Sequence, residues 1–260
     1  MDLYGFDAFS PAEIIAKVET VGVAKARLPL GSMLMLSVLA GPTPRDRHSL
    51  PSESSDWRVA APETLRGCRI AFSADMGHAV VDAEVRAAVE AAAVRLGEAL
   101  GADVQRTHPD IGPTQPMFEI LVAMETDRAG LAVMAERQNV ALTGWLGHLI
   151  AHPWTADQFT AALMARKRIV NTTWRFMQQH QFLITPTTAA PAFAIDLAGP
   201  SQIDGQAVPP TAWLAFSALA NLTGLPAASV PIGSTTDGRP IGLQIMGRHL
   251  DDRGVLALAA

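Results

Sequence analysis

The chain has 260 residues, of which 49% are hydrophobic and 17% charged, with a formal net charge of −5. That composition buries a core rather than staying disordered, and with no basic footprint beyond Arg166-Lys167-Arg168 nucleic acid is not an expected partner. Cys68 is the single cysteine, no run approaches the roughly twenty apolar residues of a membrane span, and the acidic start lacks the order of a secretory signal, so a globular cytoplasmic protein without disulfides is expected.

Ser10-Pro11-Ala12-Glu13 combines a capping serine, proline at the first helical position and an early acid. It predicts a helix to about Glu19. A second, apolar helix is expected over Ser32–Ala40, stopped by Gly41-Pro42, and the polar stretch 41–61 reads as a loop and hinge. Cys68–Ser73 reads as a short buried strand. Asp82 then caps a helix whose stripe of Val85, Ala88, Val89, Ala92, Leu96 and Leu100 keeps helical spacing up to Gly101. With a strand over Ala102–Arg106, this is a β-α-β unit and predicts a parallel pair.

Pro116–Val140 and Thr155–Gln181 carry long helical patterns, the second capped by Thr155. The first has Met117, Leu121, Met124, Leu131 and Met134 along a stripe expected to face the core. Phe182–Thr185 reads as a strand broken by Pro186. Thr211–Leu222 is apolar nearly all round and predicts a buried helix. Ala227–Ile232 and Ile241–Met246 predict two strands joined by the turn Thr236-Asp237-Gly238-Arg239-Pro240, and Asp251 opens a last helix.

Four segments, in order, carry a family resemblance: Leu36–Asp46 (LSVLAGPTPRD), Gly67–Phe72 followed by Val81–Val85, Phe182–Thr188 (FLITPTT), and Asn221–Gly247 (NLTGLPAASVPIGSTTDGRPIGLQIMG). Together they resemble the amidase signature family of serine amidohydrolases, over about residues 33–260, corresponding to the second half of a family member. The opening Phe9–Lys17 is loosely similar to the family's first helix, which would join the family's beginning to its second half near Val23–Gly31. The resemblance thus implies an N-terminal helical segment over residues 1–31 and an incomplete amidase-like α/β region over 32–260. The expected fold is α/β, a mixed β-sheet flanked by helices.

The resemblance implies hydrolysis of small-molecule amide carbon–nitrogen bonds by a serine, activated through a second serine and a neutral lysine in a Gly/Ser-rich loop, with no cofactor or metal. A serine hydroxyl needs such a positioned base, and the developing oxyanion needs backbone donors. This sequence offers only Lys17, Lys25 and Lys167, none before an aspartate. Its adjacent serines, Ser54-Ser55, lack glycine neighbours, and Gly31-Ser32 and Gly233-Ser234 stand alone. Gln181 stands where the family usually has aspartate. No catalytic residue is therefore assigned.

Other constellations read plainly. His148 and His152 have the i, i+4 spacing of metal ligands but no intervening glutamate and no third ligand, so two ordinary histidines at a helix end are expected. Ser73, Asp75, His78 and Asp82 are crowded in one loop, which is not triad geometry. Cys68 reads as a small buried hydrophobe. Thr211, Leu214 and Ala218, at i, i+3 and i+7, fall on one helical face, which the resemblance places on the acyl side of the substrate pocket. The apolar Leu214 would suit an apolar or aryl acyl group.

The expectation is an amidase-family chain, inactive by itself for want of the serine and lysine, with a small amide as its ligand. The alternative is a non-enzymatic amidase-like binding or interaction protein. Half of such a sheet should expose an edge or apolar surface, so self-association, as a homo-oligomer through that edge or surface, or poor solubility is expected.

Overall fold

The computed structural model describes residues 28–45, 49–50, 57, 62–195 and 197–260. The helix expected over Ser10–Glu19, Lys17, Lys25 and Ser54-Ser55 lie outside these residues, as does most of the polar stretch 41–61.

At the centre lies a five-stranded mixed sheet in the order β2-β1-β3-β7-β6. Its strands are β1 (Arg69–Phe72), β2 (Asp103–Arg106), β3 (Phe182–Pro186), β6 (Ala227–Ser234) and β7 (Pro240–Gly247). β1 runs parallel to β2 and β3, whereas β7 is antiparallel to both β3 and β6. A two-residue hairpin, β4 (Gln202–Ile203) and β5 (Gln206–Ala207), stands apart. The α/β architecture and mixed sheet expected from the sequence are present.

The helices are α1 (Leu28–Leu39), α2 (Ala83–Leu100), α3 (Gln115–Glu125), α4 (Arg128–Gln138), α5 (Gly144–Ala151), α6 (Ala156–Gln179), α7 (Ala218–Thr223) and α8 (Asp252–Ala259). α2 forms for the reasons legible in its sequence. The Asp82 carboxylate accepts the N–H groups of Glu84 and Val85, and Gly101 closes the last turn in the left-handed region. α6 opens on a capping box between Thr155 and Gln158.

Both faces of the sheet are covered, which is why β3 is buried at all five positions. Alternate side chains enter opposite cores. Ala71, Leu183 and Met246 meet Met117, Leu121, Ile169 and Phe216 on one side. Ile70, Phe72, Phe182, Ile184 and Ile245 meet Val89, Val255 and Leu258 on the other.

Three expectations need correction. The pattern over Pro116–Val140 is two helices, because Thr126 turns extended and bonds its hydroxyl back to the Val122 carbonyl. Asp127 then caps α4 by accepting from Gly130 N–H. Consequently Met117 and Leu121 reach the core, Met124 packs against it, and Met134 is 49% exposed. β3 ends at Pro186, where the sequence stops it, with Pro186 in register with Leu243.

Nor is Thr211–Leu222 one helix. A 3-10 turn over Ala212–Leu214 precedes α7, with i to i−3 bonds from Leu214, Ala215 and Ser217. The reason is tertiary. The Trp213 carbonyl accepts from Ala189 N–H at 3.0 Å, and the Phe216 carbonyl accepts from Gln244 at 3.1 Å. Two acceptors of a regular α-helix are thus used elsewhere. Among the described residues no helix is long and apolar enough to cross a membrane.

Candidate functional site

In a sheet with parallel strands, the loops leaving the carboxyl ends of those strands gather on one side, where open α/β folds bind ligands. The loops after β1, β2 and β3 do so here. They enclose a cleft of about 490 Å³. The β1 loop contributes His78, Ala79 and Val80; the β2 loop and the start of α3 contribute Pro113–Pro116 and Glu119; Ala207–Pro209, Thr211, Ala212 and Ala215 close the third side. A smaller inner cavity, about 10 Å³, continues past His78, Thr114 and Ala215 to Thr185, Phe216 and Met246.

The β1 loop is held rigidly. Ser73 Oγ accepts from Met76 N–H at 2.9 Å, Asp75 accepts from Gly77 N–H at 2.8 Å, and Arg86 bonds the other oxygen of Asp75 at 3.0 Å. Burial pushes the Asp75 carboxyl up, but the Gly77 N–H and the Arg86 guanidinium outweigh it and hold it below the usual carboxylate range. Gly77 sits at φ 72°, and a Cβ there would meet the His108 ring at 2.8 Å, so the close approach requires glycine. His78 Nδ1 lies 2.9 Å from the Met76 carbonyl. A carbonyl only accepts, so Nδ1 carries the proton and, in the neutral ring, Nε2 is a free acceptor.

Behind the cleft, Gln244 fixes the sheet to its wall. Its amide donates to Thr185 Oγ1 at 3.2 Å and to the Phe216 carbonyl. Beside it, Thr187 Oγ1 and Ser229 Oγ are 2.6 Å apart. The β6–β7 turn is tied to the same side: Glu84 accepts from Thr236 N–H at 2.7 Å, and Arg239 donates to the Ala192 carbonyl at 3.0 Å.

Of the three residues placed on the acyl wall, Thr211 lines the cleft, Leu214 is half-buried away from its lining, and Ala218 is buried in the core. The 3-10 turn separates them. Ser73 and His78 share a loop but bond its backbone, not each other. The rings of His148 and His152 lie 5.3 Å apart, and among the described residues no third metal-ligating side chain joins them. Cys68 is buried, and burial pushes its thiol up, partly offset by a backbone hydrogen bond. Lys167, the one lysine among the described residues, is exposed on α6. Gln181 bonds the backbone of Arg69 through its side chain at 2.9 Å and its N–H at 2.8 Å, aligning β3 with β1.

The cleft residues Gln115 and Glu119 went unrecognised in the sequence. The available signal was their position: they open the helix that follows the second strand of a parallel pair.

A family model described as Amidase matches residues 26–256. An acylamidase of Rhodococcus erythropolis is 31% identical over 242 residues, covering 87% of this chain and 48% of that protein. A glutamyl-tRNA(Gln) amidotransferase subunit of Synechococcus sp. (strain CC9902) is 29% identical over 256 residues, covering 86% and 50%. Among solved structures, a bacterial aryl acylamidase of the amidase signature family aligns with a TM-score of 0.78 at 25% identity, over 90% of this chain and 50% of that one. The chain spans about half the length of the relatives it matches.

Proposed function

The chain belongs to the amidase family, and from that premise we propose that its residues form the substrate-cleft half of an amide hydrolase, without a nucleophile of their own. Amide hydrolysis needs a hydroxyl oxygen aimed at the carbonyl carbon, a base to take its proton, and donors for the oxyanion. The observation that carries the reading is the cleft at the carboxyl ends of β1, β2 and β3, which among the described residues is lined by neither serine nor lysine. Ser73, in the adjacent loop, uses its hydroxyl to hold Met76, and Lys167 stands on the exposed face of α6. In this reading Thr211 contacts the substrate, Leu214 and Ala218 support it from behind, and the ligand is a small-molecule amide. Self-association belongs to the β6 edge of the sheet.

Incubation of the purified chain with a fluorophosphonate probe, read by intact mass, tests the proposal. No labelling and no turnover of an acyl anilide are expected. Stoichiometric labelling of a serine in this chain would overturn it.

A further inference from the structure

The charge inside the cleft is one-sided. Among the described residues Glu119, half-buried on α3, is its only charged lining residue, and no lysine or arginine lines the space. Among the described residues its carboxylate has no ion-pair partner. The second group of fixed sense is His78, whose Nδ1 proton is held by the Met76 carbonyl, leaving Nε2 as an acceptor in the neutral ring. Thr114, Gln115 and Thr211 serve as either donor or acceptor. Around these groups the walls are apolar: Val80, Pro113, Pro116, Val208 and Pro209. A half-buried carboxylate in an apolar-walled cleft is complementary to a cation that brings its own N–H donors.

We propose that this cleft selects ligands in which a compact apolar body carries a protonated amine, and that Glu119 is the specificity-determining residue. The substrate would then be an amide bearing a basic amino group, a step that rests on the amide-hydrolase reading above; the binding itself does not. This differs from the apolar or aryl acyl preference suggested by Leu214, because Leu214 is not part of the lining.

The test is titration of the folded chain with benzylamine, benzyl alcohol and benzoate, followed by calorimetry and by NMR shifts. Benzylamine should bind most tightly, shift His78 resonances, and weaken as salt is added. Glu119→Gln should weaken benzylamine roughly tenfold while leaving benzyl alcohol unchanged. Glu136→Gln, on the exposed surface of α4, should change nothing, and matching thermal melts of both variants would show that the fold is kept. Equal binding of benzoate, no saturable binding of benzylamine, or an unaltered Glu119→Gln variant would each overturn the proposal. Labelling by the fluorophosphonate probe would overturn the half-enzyme reading and leave this one standing.

Discussion

The sheet ends in two different ways. β2 has four residues, Asp103–Arg106, two of them charged; Arg106 pairs with Glu90 at 3.0 Å and lies 5.3 Å over the Phe72 ring. β6 has eight, Ala-Ala-Ser-Val-Pro-Ile-Gly-Ser, and none is charged. Short length and charge protect the first edge against pairing with another chain. The second is protected differently. Gly247 N–H donates to the Pro226 carbonyl at 3.0 Å, so by the two-residue period Ala228 and Val230 bond β7 while Ala227, Ser229 and Pro231 face outward. Pro231 has no N–H to offer there, and an irregularity between Pro231 and Gly233 bends the strand. What remains open is short: the donors of Ala227 and Ser229. One edge is guarded by charge; the other is guarded only in part, by a shortage of donors, and keeps the N–H groups of Ala227 and Ser229 unpaired among the described residues.

The contrast can be broken most severely through Gly247. A Cβ there would meet Val255 Cγ2 at 2.5 Å, so Gly247→Ala should wedge α8 away from β7 and cost about 1–3 kcal/mol in denaturant unfolding. Hydrogen exchange should quicken in β6 and β7 and stay slow in β1 and β2; a uniform rise would show that the two sides are not separable. A milder change addresses the edges themselves. Light scattering should report self-association of the chain, reduced by Ser229→Lys and untouched by Arg106→Gln; a strictly monomeric parent chain would remove the role given to β6. The smallest effect concerns the β6–β7 turn. Arg239, then Thr235, hydrogen-bond Asp237 and hold its carboxyl at about 2, below the ordinary 3.8. A depressed carboxyl stabilises above its ordinary value, and that contribution is lost as pH falls through about 2. Turn amides should therefore loosen only between about pH 4 and pH 2, and added salt should shrink the effect because the pair is exposed.

Local features were legible in the sequence. The β1–α2–β2 unit was readable because Asp82, the Val85–Val89–Ala92 stripe and Gly101 act within one helix of each other. The β6–β7 hairpin was readable from its turn. The stretch around Thr211 was not, because its winding is decided by Ala189 and Gln244, which are remote in sequence. The break at Thr126 was local, yet a hydroxyl that bends back to Val122 looks in sequence like any helical threonine. The cleft was half readable: Thr211, singled out through the family resemblance, lies in its lining, while Gln115 and Glu119 join it only once three loops are side by side.

The tie between Glu84 and Thr236 joins residues 152 apart in the chain. The β1–α2–β2 unit, whose contacts are near in sequence, closes small loops and can form early; the turn of β6 and β7 meets Glu84 only after a much longer loop has closed, at an entropic cost that grows with the logarithm of its length. By this loop-closure argument Asn221–Gly247 is expected to dock after the β1–α2–β2 unit, leaving β3 as an outer strand until β7 pairs with it.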